Sequence, residues 1–442
     1  MSFFTIVLPL QMLFSATFAS HFWGGSMTFS PKVLYPNGSY KVEFRFKQTF
    51  DSCSYFFWNT CFSGDCGTQV SVERGEIYTT AGRNAGDNNW CQTEGVTTRV
   101  IPTANTFSLR EAGGGWVSLS NNPSLSSWSL LTVVDLGKRS DTNKANRSPI
   151  TTSISFVSVP QNCPRTYALV TFDPDNDQGR CRYGTLVGEE CTACQLPAGF
   201  TLTQNRIKDK DFCLLSYNSA TAGVYGLELV VEDFPQQSII LSYTNGSTVF
   251  RSPFNQAASP LSKLPLQFAI KVETAIASCV EGEYLPKFVP PTPENGETIL
   301  AVVNQELKII INATASMAGI RGLLISGPLN ITYSSEISDG LEQHILKWTP
   351  RSDDLGEYFP ICFVAETDPI NTIRYQSNIR CIVVGVGNPP ETVVGLRMVV
   401  ESTDALTEAE IEEQVIKPFQ EELIRNGLPN TTTLSLRRVY SP

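Results

Sequence analysis

Apolar and polar residues alternate along several stretches of this chain with a period of two. Residues 39–47 (SYKVEFRFK) show the pattern most clearly, because every second side chain is apolar. This alternation is typical of a β-strand that has one face buried and one face in water. The pattern predicts strands at residues 39–47, 97–101, 129–134, 167–172, 224–231, 266–272 and 297–303. Gly- and Asn-rich turns separate the early strands, and this part of the chain shows no helical periodicity. We therefore predict a mainly β protein.

The carboxy-terminal residues have a different pattern. Residues 407–426 show the apolar period of an amphipathic helix, and residues 393–400 and 431–439 read as strands on either side of it. Thr407 is a suitable N-cap residue, and Glu410 would complete a capping box. This α+β tail resembles the opening of a SEA-like module. A strand, a helix and a strand make too small a core to be stable alone, so the tail must pack on a neighbour or on another chain.

Breaks in the strand pattern divide the chain into modules. At 442 residues it is long enough for about three domains. Residues 138–149 are polar and poor in strand formers, and prolines in residues 286–293 form a stiff connector. We predict a leader at 1–20, a β-sandwich at 21–145, a disulfide-rich β-sandwich at 150–282, a third β-sandwich at 294–386, and the α+β tail at 391–442.

The amino-terminal residues have the composition of a secretory signal peptide. An apolar run at residues 3–14 is followed by small residues, and cleavage after Ala19 or Ser20 would suit such a site, although the usual basic residues are missing. The run is too short to span a bilayer comfortably, and no later stretch reaches that length. We therefore predict a secreted, extracellular protein without a membrane span.

Twelve cysteines agree with export, because an even number behind a signal peptide predicts disulfides. They fall into three even groups that match the three modules, so we expect bridges within each group. The groups are Cys53, Cys61, Cys66 and Cys91; Cys163, Cys181, Cys191, Cys194, Cys213 and Cys279; and Cys362 and Cys381. The pairing inside the first two groups stays open.

Six sequons predict a glycoprotein. They lie at Asn37, Asn146, Asn245, Asn312, Asn330 and Asn430. Asn146 is the poorest acceptor, because Pro149 follows its sequon directly.

The formal net charge is −10 and no run of lysine or arginine occurs, which excludes a nucleic-acid footprint. The partners we expect are extracellular proteins or glycans.

Residues 171–183 (TFDPDNDQGRCRY) concentrate carboxylates on a predicted turn. Asp173, Asp175 and Asp177 alternate there, and hard carboxylate oxygens are the ligands that Ca²⁺ prefers. We predict these three residues as a calcium site, with calcium as the one expected cofactor. The alternative is an Asx-rich β-turn whose carboxylates accept hydrogen bonds from backbone amides in water.

Two further acids follow the strand at residues 224–231. Glu232 is a fourth predicted calcium ligand, and Asp233 is another candidate if the strand ends beside the turn. The alternative for both residues is an exposed strand end.

Catalytic motifs are missing from the sequence. His21 and His344 are the only histidines, so a Ser-His-Asp or Cys-His enzyme would need one of them. No Gly-x-Ser-x-Gly, His-Glu-x-x-His or phosphate-binding loop occurs. Cys191 and Cys194 are spaced like a redox or zinc pair, but a structural disulfide is favoured in an exported chain. We predict no catalytic residues and no enzyme.

The aromatic cluster at residues 55–58 (YFFW) has two interpretations. It is either an exposed recognition loop that contacts proteins or sugar rings, or a buried strand of the first core.

Residues 345–366 (ILKWTPRSDDLGEYFPICFVAE) resemble the closing pattern, W-T-P followed by G-x-Y, of cadherin-like and immunoglobulin-like repeats. The resemblance implies a β-sandwich with Trp348 in its core. In immunoglobulin repeats the cysteine follows the tyrosine by two residues and pairs with an earlier strand. Here Cys362 follows Tyr358 by four residues, and Cys381 lies downstream. A bridge between adjacent strands is therefore implied.

Residues 21–386 as a whole are similar to a group of secreted or cell-surface proteins of aquatic animals. Besides the segments above, residues 231–235 and 375–381 carry this similarity. It implies fold and location only. We predict a structural or adhesive protein of the extracellular matrix or cell surface, which calcium would stiffen. The alternatives are a component of the organic matrix of an animal skeleton and a secreted hydrolase.

Overall fold

The computed structural model describes a mainly β protein, which confirms the predicted fold class. The chain forms two compact units, residues 1–389 and 390–442. The described residues of the first unit lie in strands and connecting turns, and those of the second are mostly helical. The structure describes residues 21–53, 60–80, 89–120, 127–207, 210–255, 257–338, 341–388, 406–426 and 434. The predicted signal peptide and the aromatic cluster at 55–58 lie outside these residues.

The first unit contains 25 described strands. Up to residue 273 they are β1 Phe22–Leu34, β2 Tyr40–Phe50, β3 Cys61–Ser63, β4 Thr68–Thr79, β5 Cys91–Ile101, β6 Thr106–Gly114, β7 Ser127–Asp135, β8 Lys138–Arg139, β9 Phe156–Pro160, β10 Arg165–Thr171, β11 Gln178–Tyr183, β12 Phe200–Ile207, β13 Lys210–Tyr217, β14 Gly223–Phe234, β15 Ile239–Ser242, β16 Thr248–Arg251 and β17 Ser262–Glu273. The remaining strands are β18 Lys287–Val289, β19 Thr298–Val302, β20 Leu307–Thr314, β21 Ile320–Ser326, β22 Thr332–Ser338, β23 Leu341–Trp348, β24 Tyr358–Thr367 and β25 Arg380–Gly387. All the strands predicted from alternation coincide with strands of this set.

An eleven-stranded sheet dominates the first unit. Its main path runs β3-β6-β7-β17-β1-β2-β5-β4, with β11, β14 and β9 attached beside it. Strand β17 joins the parts of this sheet. Along one of its edges it pairs with β14 over nearly its whole length, and along the other edge it pairs in turn with β7, β1 and β9. Two three-stranded sheets, β10-β13-β12 and β16-β15-β8, accompany it.

This large sheet crosses the predicted boundary between the first two modules. Strand β1, which alternation did not predict, pairs with β2 of the first predicted module and with β17 of the second. Most of the buried apolar side chains of residues 22–272 belong to one cluster, which also includes a few residues of the third predicted module, such as Leu324, Val364 and Val383. The structure therefore gives residues 21–145 and 150–282 a shared sheet and core, where the sequence predicted separate ones. Sequence alternation defines strands but not their partners, which is the physical reason for the difference.

A glycine permits the close approach of β1 to β17. Gly24 lies opposite Phe268 and has a φ of +152°, a conformation that favours glycine. A Cβ atom at this position would lie 2.3 Å from the carbonyl oxygen of Gln267. Only glycine fits at this point of the sheet without a backbone shift.

The third predicted module is a two-layer β-sandwich. One sheet has the order β18-β20-β23-β22 and the other β19-β25-β24-β21. Their facing side chains form one apolar cluster that includes Trp348 and Phe359, whose ring centroids lie 4.7 Å apart. Trp348 is 5% exposed, as expected of the core position that the resemblance implied.

All twelve cysteines form disulfides within the predicted groups. The pairs are Cys53–Cys91, Cys61–Cys66, Cys163–Cys279, Cys181–Cys213, Cys191–Cys194 and Cys362–Cys381. Cys362 and Cys381 are directly opposite each other on the antiparallel strands β24 and β25, so the implied bridge between adjacent strands is confirmed.

Removal of the Cys362–Cys381 bridge by a double change to alanine is expected to cost about 3 kcal/mol of unfolding free energy, because its loop spans 19 positions. Both positions are buried, and alanine keeps them apolar. Urea denaturation of the full chain measures the effect. An unchanged midpoint would mean that the bridge contributes nothing to the stability of the third sandwich.

The second unit contains the predicted helix. It consists of α1 Glu408–Ile411, a π-helical stretch Glu412–Ile416 and α2 Lys417–Arg425. The capping box is confirmed, because the Glu410 amide donates to Thr407 Oγ1 and the Thr407 amide donates to Glu410 Oε2. The flanking predicted strands at 393–400 and 431–439 fall outside the described secondary structure. In the part of the chain that the structure describes, each helix is too short or too polar to cross a membrane.

Candidate functional site

Three buried carboxylates converge on the predicted acidic turn, but they are not the predicted set. One carboxylate oxygen from each of Asp173, Asp177 and Asp233 lies within 4.8 Å of the other two. The three side chains are 8%, 4% and 0% exposed, respectively. We call this group the acidic cluster.

The backbone explains how the acidic cluster forms. Asp173 lies just after β10 and Asp177 just before β11, so both lie on the turn that joins the two strands. Asn176 adopts a left-handed conformation, with a φ of +64°, which tightens this turn. Asp233 is opposite Gly179 in the antiparallel β11–β14 pair. This pairing brings Asp233 beside the turn, although Asp233 follows Gly179 by 54 positions in the sequence.

Two predicted calcium ligands face arginines instead. The Asp175 carboxylate accepts hydrogen bonds from Nε and the backbone amide of Arg147, each at 2.8 Å. The Glu232 carboxylate pairs with Arg182 at 2.8 Å. Glu232 and Asp233 are consecutive on β14, so the pleat sends their side chains to opposite faces. The sequence-based set is therefore corrected: Asp233 belongs to the acidic cluster, whereas Glu232 and Asp175 lie outside it.

Backbone amides fix the orientation of Asp173. Its Oδ1 atom accepts hydrogen bonds from the amides of Asp175 at 2.8 Å and Asp177 at 3.0 Å, as the Asx-turn alternative predicts. Its Oδ2 atom is buried and has no hydrogen-bond partner among the residues that the structure describes. An unsatisfied carboxylate oxygen in a buried site is costly, so this atom requires a partner of some kind.

One buried arginine neutralises part of the acidic cluster. Arg139 is 1% exposed and binds Asp177 with both terminal nitrogens, Nη2 lying 2.8 Å from Oδ1. Burial lowers the pKa of Arg139, but its hydrogen bonds with Asp177 and Asp141 outweigh burial and raise the pKa overall. Arg139 therefore remains charged.

Asn146 connects Arg139 to Asp233. Its Oδ1 atom accepts from Arg139 Nη1 at 2.6 Å, and its Nδ2 atom donates to Asp233 Oδ2 at 2.7 Å. Ser262 donates to Asp233 Oδ1 through its amide, at 2.7 Å, and through its hydroxyl, at 2.5 Å. Arg139 and Asn146 were missed as members of the site because they lie in a segment predicted to be a linker.

Burial shifts the pKa of each carboxyl group in the acidic cluster upward. Burial, assisted by the charge of Asp177, raises the pKa of Asp233 to about 7. Burial and the charges of Asp233, Asp177 and Asp175 raise the pKa of Asp173 well above its usual value. Burial also raises the pKa of Asp177, despite the ion pair with Arg139. Such a site favours any species that compensates its negative charge, either a proton or a cation.

The predicted glycosylation sites divide by exposure. Asn37, Asn245 and Asn330 are exposed, as an acceptor in the folded protein must be. Asn146 is 1% exposed and Asn312 is 8% exposed, so the fold leaves no room for a glycan on either side chain. Asn146 and Asn312 are therefore withdrawn as predicted glycosylation sites. Asn430 lies outside the described residues.

The histidines occupy different environments. His344 lies in β23, is 0% exposed, and its Nδ1 atom is 3.0 Å from the hydroxyl of Tyr333. His21 is exposed and its Nδ1 atom lies 2.7 Å from Asp51. The buried ring of His344 is closed to a substrate in this fold.

Cys191 and Cys194 form a disulfide, which excludes both cysteines as thiolate ligands of zinc in this state. The Glu228 carboxylate accepts hydrogen bonds from the amides of residues 192–194 and so holds the loop in place. The prediction that these two cysteines form structural disulfides is confirmed, and the structure supplies the pairing that the sequence left open.

The fold and the disulfides define a class of protein: a disulfide-bonded β protein that includes an immunoglobulin-like sandwich. No protein-family model matches the sequence. The chain is 21% identical over 409 residues to a protein of Dictyostelium discoideum described as "Integrin beta-like protein C". This match covers 87% of the chain and 20% of that protein, so the chain spans about a fifth of the length of this relative.

Several solved β structures align with the chain at low similarity. The sialic acid binding region of a Streptococcus sanguinis SK1 adhesin is 12% identical, with a TM-score of 0.23, and the alignment covers 64% of this chain and 89% of that chain. The fibronectin(III)-like modules of Clostridium thermocellum CbhA are 11% identical, with a TM-score of 0.18, over 57% of this chain and 100% of that chain. At these TM-scores the likenesses support no conclusion about function.

Proposed function

We propose that this chain is an exported adhesive or structural protein of the cell surface or extracellular matrix, and that it acts by binding rather than by catalysis. The observation that carries the proposal is the match to an integrin beta-like protein along 87% of the chain. This match and the six disulfides together fit an extracellular adhesive protein.

The disulfides support an extracellular location. Six disulfides use all twelve cysteines, and such bonds persist in oxidising compartments. The exposed sequons at Asn37, Asn245 and Asn330 fit the same location. Kinship with the secreted proteins of aquatic animals and a role in a mineralised matrix remain predictions.

The joint between the large sheet and the third sandwich supports a structural role. Lys47 of β2 donates from Nζ to the carbonyl oxygen of Gly327 at 2.6 Å. Arg45 of the same strand pairs with Asp354 at 3.1 Å, and the Tyr78 hydroxyl donates to the carbonyl oxygen of Leu323 at 2.6 Å. These contacts hold the two parts of the first unit together, which suits a protein that transmits force or spaces a surface.

The test is attachment of cells from the source organism to a surface coated with the purified full chain. We expect more cells to resist detachment by flow than on an albumin-coated surface. The same chain after reduction and alkylation is the matched control, and it should lose the effect because its disulfides are gone. Attachment equal to that on albumin would contradict the adhesive role, and product release from a peptide or glycan panel would contradict the prediction of no enzyme.

A further inference from the structure

We propose that the acidic cluster of Asp173, Asp177 and Asp233 is a calcium site that ties the β10–β11 turn to the end of β14. The assignment differs from the sequence-based set because it replaces Asp175 and Glu232 with Asp233. It does not depend on the adhesive role proposed above.

The charges of the acidic cluster favour a cation. Asp177 has Arg139 as its partner. Throughout the described part of the chain, neither Asp173 nor Asp233 forms an ion pair with lysine, arginine or histidine. Two carboxylates therefore share a buried space without a countercharge of their own. One divalent cation would compensate both charges.

The free oxygen of Asp173 is an independent observation. The side chain is 8% exposed, its Oδ1 atom accepts hydrogen bonds from two amides, and its Oδ2 atom has no hydrogen-bond partner within the described ranges. A turn built only to satisfy backbone amides needs one oxygen of the carboxylate. The second oxygen is left available as a ligand on a side chain whose orientation is already fixed.

The spacing of the carboxylates fits calcium. Ligand oxygens lie about 2.3–2.6 Å from Ca²⁺, so two ligands on opposite sides of the ion are about 5 Å apart. The carboxylate oxygens of the acidic cluster lie within 4.8 Å of one another. The ligand set consists of hard oxygens without histidine or thiolate, which disfavours zinc. Magnesium demands a regular octahedron, whereas these carboxylates are fixed by other hydrogen bonds.

Arg139 limits the affinity of the proposed site. Its guanidinium group binds Asp177 and therefore places a positive charge beside the cation. We expect a Kd of roughly 10⁻⁴–10⁻³ M, the range of extracellular calcium modules. Such a site would be filled outside the cell and empty at cytosolic calcium concentrations.

Calcium titration of the full chain tests the site. The protein is first stripped of metal with a chelator, and its melting temperature is then measured as CaCl₂ is added. We expect Tm to rise by about 3 °C when calcium reaches about 100 times its Kd, because the ion binds only the folded chain. The same concentration of MgCl₂ should raise Tm less.

Two variants locate the site. Asp173→Asn removes a buried charge, so we expect it to raise Tm in the absence of calcium and to abolish the response to calcium. Asp175→Asn is the matched control in the same turn, and it should keep the response because the Asp175 carboxylate faces Arg147.

Two outcomes would overturn the proposal. An unchanged Tm of the unaltered chain in calcium, together with a stabilising effect of Asp173→Asn, would mean that the carboxyl groups share a proton and hold no cation. Loss of the response in Asp175→Asn but not in Asp173→Asn would place calcium elsewhere on the turn. The titration of the unaltered chain decides the question even if a variant fails to fold.

Discussion

Phe268→Ala is expected to lower the free energy of unfolding of the first unit by about 3–5 kcal/mol. Phe268 is 0% exposed and lies on β17, opposite Gly24 of β1 and Leu227 of β14. Truncation leaves a cavity at the junction of the large sheet, and close-packed neighbours can fill it only in part. Urea denaturation, followed by the fluorescence of the buried tryptophans, measures the change.

Phe250→Ala is the matched control for this prediction. Phe250 lies on β16 and is 64% exposed, so its loss should change stability by no more than about 0.5 kcal/mol. The shared core also predicts that residues 21–145 and 150–282 unfold together. Separate transitions for these two ranges, of which only one responds to Phe268→Ala, would contradict the single core.

Lys47→Met is expected to cost about 3–5 kcal/mol, because it leaves a buried carboxylate without its partner. Lys47 and Glu94 are 6% and 2% exposed, and Nζ of Lys47 lies 3.4 Å from Oε1 of Glu94. The Glu94 carboxylate also accepts the amide of Leu329 at 2.6 Å, across the joint with the third sandwich. The variant should therefore lower the denaturation midpoint of the whole first unit.

A second change should restore most of this loss. In Lys47→Met with Glu94→Gln, no unpaired charge remains, and the glutamine oxygen can still accept the Leu329 amide. The control is Lys308→Met, because the Lys308–Glu336 pair lies on the surface, where an ion pair contributes at most about 1 kcal/mol. Equal effects of Lys47→Met and Lys308→Met would show that the buried pair does not hold the joint.

Local patterns predicted the β character of the chain, its helix and seven of the 25 described strands. Alternation in residues 39–47 marks β2, because one face of that strand is buried whatever strand lies beside it. The helix at residues 408–425 was predicted together with its cap, since Thr407 and Glu410 interact within one turn. Strand β1 was missed because its residues are buried on both faces for much of its length, which removes the alternation.

The acidic cluster was predicted in part. Asp173 and Asp177 were identified because acids that crowd on a turn are visible in sequence. Asp233 was named only as a secondary candidate. The sequence did contain a signal for it: residues two apart on a strand share a face, so Asp233 lies on the same face as Leu229 and Val231, which face the core. No pattern in the sequence indicated that Arg139 would pair with Asp177.

The sequence by itself determined the β character of the chain, the grouping of its cysteines and the position of its helix. These properties depend on side chains that are close together along the chain, so their periodicity and spacing can be read directly. Only the tertiary structure decided that β1 pairs with β17, that Lys47 meets Glu94 beside the third sandwich, and that Asp233 rather than Glu232 joins the turn. Those contacts depend on strand register between distant segments, and a shift of one residue would reverse every face.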